Sequence, residues 1–319
     1  MIVVPESAVA GLIDAQTAFA AVEAVFTAMA QDEARNFPVI REALGGGRQY
    51  GFKSGIDTAG QVMGVKSGGY FPGNAARGLI NHQSVILLFD PETGRPTAMV
   101  GGNLLTALRT AAASAISIDR LARGDARVLG IVGAGHQAAF QLRAAARVRP
   151  WDRVIAWNYH PDMLPALGAV AADLGLPFEA VSLDGLRAAD VVITITSSPA
   201  ASVMAAHVSP GTHLACMGTD TKGKQEVDPA LLAAATVFTD EVAQSVTIGE
   251  AQHAVGLGLL DAGAITPLGA VLTGAHPGRT RTDEITLFDG TGVALQDLAV
   301  AQAVVRAAQA AGLSTEVTL

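Results

Sequence analysis

Apolar residues recur every three to four positions over five alanine-rich stretches of the chain, and short β-branched runs bounded by glycine, proline or acids lie between them. The spacing predicts helices over 14–31, 105–123, 137–149, 163–174 and 295–311. Strands are predicted at 62–66, 85–89, 97–100, 128–132, 154–157, 191–196, 213–217 and 237–239. The early strands carry hairpin chemistry, with Asp90-Pro-Glu-Thr-Gly94 between two of them, and belong to an antiparallel or mixed sheet. From Arg127 the pattern becomes strand, helix, strand, helix, and the strands are apolar throughout. Such strands are buried on both faces, as in a parallel sheet covered by helices. The change falls in the segment 118–127 and divides the chain into an expected first domain, 1–118, and a second, 119–294. The C-terminal helix region, 295–319, has no predicted strand after it and is expected to pack back onto the first domain. There is no repeat of solenoid period.

The sharpest local chemistry stands at the start of the second pattern. The apolar run 128–132 leads into Gly133-Ala-Gly135-His-Gln-Ala138 and then a helix, which is G-x-G-x-x-A in the strand–turn–helix setting it requires. Gly133 allows the tight turn, Gly135 lets a pyrophosphate approach the backbone, and Ala138 lets the helix pack closely on the sheet. The helix N-terminus offers free amides and the positive end of its dipole. A dinucleotide is therefore expected on Gly133, Ala134, Gly135, His136 and Gln137, in a Rossmann domain. At the end of the next strand, where an acid that reads the ribose is expected, stands Asn158, followed by Tyr159 and His160. No arginine follows to neutralise a 2′-phosphate, so NAD is expected over NADP; a helix-capping role for Asn158 fits equally well.

Composition narrows the partners. The 21 Lys and Arg against 29 Asp and Glu give a net charge of −8, which argues against nucleic acid and anionic membrane and leaves room for a local basic pocket. Cys216 is the only cysteine, so there is neither an intrachain disulfide nor a cysteine-rich metal site; within an apolar strand it reads as an inert core thiol. The histidines are scattered, and Glu250 with His253 does not make a metal pair, so no metal is expected. Trp151 and Trp157 read as packing residues. The N-terminal pattern is not that of a secretory signal, no window suits a transmembrane helix, and the expected location is the cytoplasm.

A nicotinamide cofactor implies hydride transfer, which needs an anchor for the substrate and a proton for the atom beside the reacting carbon. Four basic residues of the first domain sit in apolar or glycine-rich settings: Arg41, Lys53, Lys66 and Arg109. Arg109, flanked by small residues on an otherwise apolar helix, is costly to bury without an anion. A structural salt bridge would satisfy it, and so would a carboxylate substrate, which guanidinium matches with two parallel hydrogen bonds. Lys66 is a candidate second anchor or proton donor.

The runs VMGVKSGGY, NHQSVILLFDPETGRPTAMVGGNLLTALRTAAASA, VLGIVGAGHQAAFQL, GTDTKGKQEVD and DEITLFDGTGVALQD, in this order, resemble the ornithine cyclodeaminase and mu-crystallin family over most of the chain. The runs ARNFPVIRE, GLINHQS and GTDTKGKQEVDP resemble the branch that makes aspartate from its imine. The resemblance implies an α/β chain with a mixed α+β substrate-binding and dimerisation domain built from both chain ends, a Rossmann domain between, and a homodimer formed through the first domain. It implies that Arg41, Lys66 and Arg109 hold the substrate carboxylate, with His82, Gln83, Ser84 or Lys53 for a second carboxylate. Thr110 and the Gly133 loop would contact the cofactor phosphates. Thr196, Met217, Gly218 and residues 291–293, including Gly292 and Val293, would complete the cofactor contacts, and Asp220 would lie beside both the nicotinamide and the substrate nitrogen. The implied reaction is NADH-dependent reduction of a small anionic 2-imino acid, iminosuccinate to L-aspartate, in which Asp220 stabilises the iminium and Lys66 polarises or protonates. Ornithine cyclodeaminase, alanine dehydrogenase or ketimine reductase activity and a non-catalytic mu-crystallin-like binding protein are the alternatives. Within the charged run after Met217, Lys222 and Glu226 read as solvated turn residues, and Lys224 stands between the solvent and the site.

Overall fold

The computed structural model describes residues 1–318 and divides into two compact units, Met1–Arg109 with the chain from Val293 onward, and Thr110–Gly292. The first unit is built on β1 (Ile2–Val4), β2 (Ala34–Asn36), β3 (Ile40–Gly45), β4 (Arg48–Asp57), β5 (Val62–Tyr70), β6 (His82–Phe89) and β7 (Pro96–Gly101). These form one sheet in the order β1-β7-β6-β5-β4-β2, with β3 paired to β4. All pairs among them are antiparallel except β1 with β7.

A two-residue strand, Thr315–Glu316, also pairs with β1. This corrects the expectation that no strand follows the last helix. The segment is exposed and has no apolar run; it is held by backbone bonds, Val317 N to Met1 O at 2.9 Å and the Met1 amino group to Val317 O at 2.8 Å.

Two long helices pack together in this unit. The helix Ala15–Ala30 starts at Asp14, whose carboxylate accepts from Thr17 N at 2.8 Å, and buries Val22, Val25 and Phe26. The helix Ala294–Ala311 lies on the sheet, where Gly55 and Gly64 admit it: an added Cβ would come within 3.2 Å of Leu295 Cδ2 at one and 2.7 Å of Leu298 Cδ2 at the other. Its first turn is tied to β2 by Leu295 N donating to Asn36 Oδ1 at 3.2 Å. A third helix, Asn103–Leu121, begins where the Glu6 carboxylate accepts from Asn103 N and Leu104 N, at 3.0 and 2.8 Å.

The second unit holds β8 (Val128–Val132), β9 (Arg153–Trp157), β10 (Phe178–Ala180), β11 (Val191–Thr194), β12 (His213–Cys216), β13 (Thr236–Thr239), β14 (Thr266–Pro267) and β15 (Thr286–Asp289). All are parallel, in the order β10-β9-β8-β11-β12-β15-β13-β14. The order reverses between β8 and β11, the switch point at which doubly wound sheets bind ligands beyond their strand ends. Leu129, Ile131, Val192, Leu214 and Phe288 are fully buried at the centre. His213 is buried with them, its ring nitrogens 3.0 Å from Thr286 Oγ1 and 3.2 Å from Ser117 Oγ. Burial, with Arg279 and Arg149 nearby, lowers its pKa to about 3, so the ring is neutral. Cys216 is enclosed in the same core and burial pushes its thiol well above the ordinary range, as an inert residue requires. Trp151 packs as expected, its indole donating to Ala145 O at 2.9 Å. No helix among the described residues is long and apolar enough to cross a membrane.

Candidate active site

In the first unit the strand register gathers the cations. β4 and β5 place Lys53 directly opposite Lys66, and β3 places Arg41 opposite Gly51, two residues from Lys53. Cross-strand partners and residues two apart share a face, so Arg41, Lys53 and Lys66 rise from one side of the sheet. Gly55 and Gly64 lie on that same side, which places the helix Ala294–Ala311 over it. Like charges directly opposed in a sheet repel, so the arrangement calls for an anion.

One anion is internal. Asp297, in the first turn of that helix and fully buried, has Oδ2 2.7 Å from Lys66 Nζ, while its Oδ1 accepts from Arg109 Nε at 3.1 Å. Gln296 Oε1 accepts from Arg109 Nη1 at 3.1 Å, and Lys66 Nζ reaches Thr106 Oγ1 at 3.4 Å. Burial lowers Lys66, Asp297 pulls it up and Arg109 and Arg41 lower it, which together leave it at about 8. Burial works to raise the Asp297 carboxyl, but the Arg109 and Lys66 charges outweigh it and hold Asp297 below the usual range.

Apart from Lys53 on β4, the residues expected at a second carboxylate lie along β6. Ser84 N donates to Asn103 Oδ1 at 2.8 Å, and Asn103 Nδ2 donates to Gln83 Oε1 at 3.4 Å. Gln83 and Ser84 line a hollow of about 330 Å³ with Tyr50 and Ser67. His82 opens the strand, opposite Tyr70.

In the second unit the dinucleotide motif takes the geometry its sequence calls for. Gly133 has φ +113°, and a Cβ there would lie 2.6 Å from Ile195 O, so only glycine fits. Gly135 is the N-cap of the helix His136–Val148; no side chain caps it, and a Cβ there would meet open space. The first amides of this helix are left for an anion. Ala138 is buried, and Gln137 Oε1 is buried without a donor among the described residues. Asn158 Oδ1 accepts from Ala134 N at 3.2 Å and its Nδ2 donates to His160 O at 2.7 Å, so the side chain braces the glycine turn. Thr110 is buried on the helix Asn103–Leu121.

The loop after β12 is fixed by carboxylates that the sequence does not advertise. Glu226, expected to be solvated, is fully buried. It accepts from Thr194 Oγ1 at 2.7 Å, Thr196 N at 2.5 Å, Thr196 Oγ1 at 2.7 Å and Gly218 N at 2.8 Å. Four donors replace the water it gives up, which is why the turn folds inward. Glu250 continues the frame, accepting from Glu226 N at 2.8 Å, Val227 N at 2.7 Å and Thr219 Oγ1 at 2.5 Å. Burial raises Glu226, and burial together with the Glu226 charge raises Glu250 to about 8. Gly218 has no alternative: a Cβ would meet Thr196 O at 2.2 Å and Glu226 Oε1 at 2.5 Å.

Asp220 follows on this clamped loop, half-buried, with Lys224 Nζ 3.0 Å from its Oδ1. Lys222 stays exposed. Met217 N donates to Thr194 O at 2.8 Å, which aligns the ends of β11 and β12. Thr291 N and Gly292 N donate to the two Asp240 oxygens, at 3.1 and 2.7 Å, so their amides are already engaged. Val293 caps the helix Ala294–Ala311.

Four contributors had escaped the residue-level reading: Asp297, Gln296, Glu226 and Glu250. An aspartate inside the apolar run ALQDLAV was the available signal for Asp297. For Glu226 and Glu250 there was none, because their donors come from distant loops.

Residues 5–312 match the model of the ornithine cyclodeaminase/mu-crystallin family. The chain is 59% identical to the iminosuccinate reductase of Paracoccus denitrificans, over 100% of both chains. A crystal structure of that enzyme in complex with NAD+ superposes with a TM-score of 0.96, covering 100% of this chain and 99% of the other. An archaeal alanine dehydrogenase dimer with bound NAD, 31% identical, gives a TM-score of 0.95 over 100% of this chain and 99% of its own.

Proposed function

The chain belongs to the ornithine cyclodeaminase/mu-crystallin family, and from that membership we propose that it is an NADH-dependent imine reductase converting iminosuccinate to L-aspartate. The observation that carries the reading is the buried cation face of the first unit, joined to full-length likeness to an enzyme of that activity. A substrate with two carboxylates suits a face bearing Arg41, Lys53, Lys66 and Arg109.

NAD fits the second unit: Gly133 makes the turn, the uncapped helix at Gly135 offers amides for the phosphates, and Asn158 follows the second strand, where a ribose-reading acid is expected, with no arginine after it for a 2′-phosphate. The nicotinamide supplies the hydride. Arg109 and Arg41 fix the α-carboxylate, the positioning part of catalysis, and Lys53 with Ser84, which the register puts on the same face, takes the second. Asp220 stabilises the protonated imine, whose positive charge makes its carbon open to attack, and Lys224 Nζ bonds that carboxylate at 3.0 Å. Lys66, charged below about 8, is the proton donor.

NADH consumption with oxaloacetate plus ammonia, from which iminosuccinate forms, is expected to exceed that with pyruvate plus ammonia. Preference for pyruvate would replace this reading with an alanine dehydrogenase, ammonia release from ornithine at catalytic NAD+ without net NADH formation with a cyclodeaminase, and no turnover on any of them with a binding protein.

The protein is a homodimer on this reading, in the reducing cytoplasm that its single buried cysteine suits. Ile40, Tyr50 and Phe52 are exposed on one face of β3 and β4, an apolar patch of the kind that marks an interface. The archaeal relative with NAD is a dimer. Sedimentation equilibrium is expected to give twice the 32.5 kDa chain mass, and a monomer at micromolar concentration would overturn the assignment.

A further inference from the structure

Two of the four cations assigned to the substrate converge on one internal side chain. Asp297 is fully buried and divides its two oxygens between two of them, Oδ2 to Lys66 at 2.7 Å and Oδ1 to Arg109 at 3.1 Å. It arrives by the helix Ala294–Ala311, whose approach is set by Gly55 and Gly64 and whose first turn is tied to Asn36. Its height over the sheet is thus fixed independently of the cations. Gln296, one residue earlier, takes the second nitrogen of the same guanidinium at 3.1 Å. A carboxylate present only to brace the helix would need one partner.

Resting on the function proposed above, we propose that Asp297 is a positioning residue, which sets Lys66 and Arg109 at fixed separation for one substrate carboxylate and keeps the Lys66 ammonium protonated for donation. The charges around Lys66 are Arg41 on β3, Arg109 on the helix Asn103–Leu121 and Asp297 on the helix Ala294–Ala311; Lys53 on β4 acts on Asp297. Among these, Asp297 alone favours the charged lysine; burial and both arginines oppose it. With Asp297, Lys66 titrates at about 8 and carries its proton at neutral pH. Without that carboxylate the midpoint falls, and neutral lysine can donate no proton. The wild-type rate is accordingly expected to decline above pH 8 as Lys66 deprotonates.

Asp297→Asn keeps the shape and removes the charge. The titration of Lys66, followed by the carbon NMR shift of its ε-methylene in the lysine-labelled enzyme with NAD+ present, is expected to move down by about one pH unit or more. The alkaline limb of kcat/KM should move with it, and kcat/KM should fall by about tenfold or more while the NAD+ dissociation constant stays unchanged. A purely structural aspartate would lower stability and leave the Lys66 midpoint in place; that result overturns the proposal. Should Asp297→Asn not fold, Asp297→Glu retains the charge one methylene further out: a midpoint within about half a unit of wild type with kcat/KM lowered about threefold or more supports the role, and unchanged kcat/KM overturns it. The NMR titration uses no substrate. Absence of turnover with oxaloacetate and ammonia would therefore sink the reaction and leave this inference standing, whereas an unmoved midpoint with normal turnover would sink this inference alone.

Discussion

Arg109→Met is expected to lower kcat/KM for iminosuccinate by about 10³-fold, with most of the loss in KM. Two effects combine. The guanidinium fork that matches a carboxylate is lost. Asp297 and Gln296 also lose the Nε and Nη1 donors that satisfy them inside the fold. Breaking one side of a buried ion pair costs about 3–5 kcal/mol, so the urea midpoint should fall as well. Lys66 still faces Asp297 in the variant, so the carboxylate keeps one partner and the chain should fold. Arg109→Lys restores charge without the fork and is expected to recover only part of KM. NAD+ affinity should hold throughout, because the glycine turn and the helix amides belong to the other unit. A KM within about threefold of wild type in folded Arg109→Met would remove the anchoring role.

What could be read in the chain beforehand follows how local each determinant is. The G-x-G-x-x-A turn was legible because strand, turn and helix are contiguous, and the structure keeps Gly133 at a positive φ with Gly135 at the helix start. The helix Ala15–Ala30 was legible within a residue at each end through its Asp14 cap and apolar spacing. Strands β3 and β4 were not: Arg48–Asp57 includes Gly51 and Gly55, lacks an apolar run, and holds its place through cross-strand pairing and a helix from the far end of the chain. Strand β15, Thr286–Asp289, is fully buried but only four residues long and follows a charged segment.

The site divides in the same way. Lys66 and Arg109 stood out because a cation among small and apolar neighbours is a physical anomaly in one stretch of sequence. Asp297 answers that anomaly from 188 residues beyond Arg109, a separation over which no spacing rule operates. Glu226 was misread because its local run, with Lys222 and Lys224, has the look of a solvated turn, and only the loop ends at Thr194, Thr196 and Gly218 supply its four donors.

Asp220→Asn is expected to lower kcat by about 10²–10³-fold and to leave NAD+ affinity within about twofold of wild type. The loop that carries Asp220 is clamped by Glu226 and Glu250 through Gly218 N, Thr219 Oγ1 and the amides of Glu226 and Val227. None of those bonds uses the Asp220 side chain, so the substitution changes a charge and spares the frame. Asparagine can still accept from Lys224, which sits 3.0 Å from Oδ1. It no longer offsets the positive charge of the iminium, and interactions with a charge that matters in the transition state appear in kcat. The lysine beside it makes the test sharper. In Asp220→Asn the Lys224 ammonium is left uncompensated near the protonated imine and adds repulsion to the lost attraction, so adding Lys224→Met should recover part of kcat. If Asp220 served only to hold Lys224 in place, Lys224→Met alone would be as damaging as Asp220→Asn. Near-normal turnover in the single Asp220 variant would remove the carboxylate from the chemistry altogether.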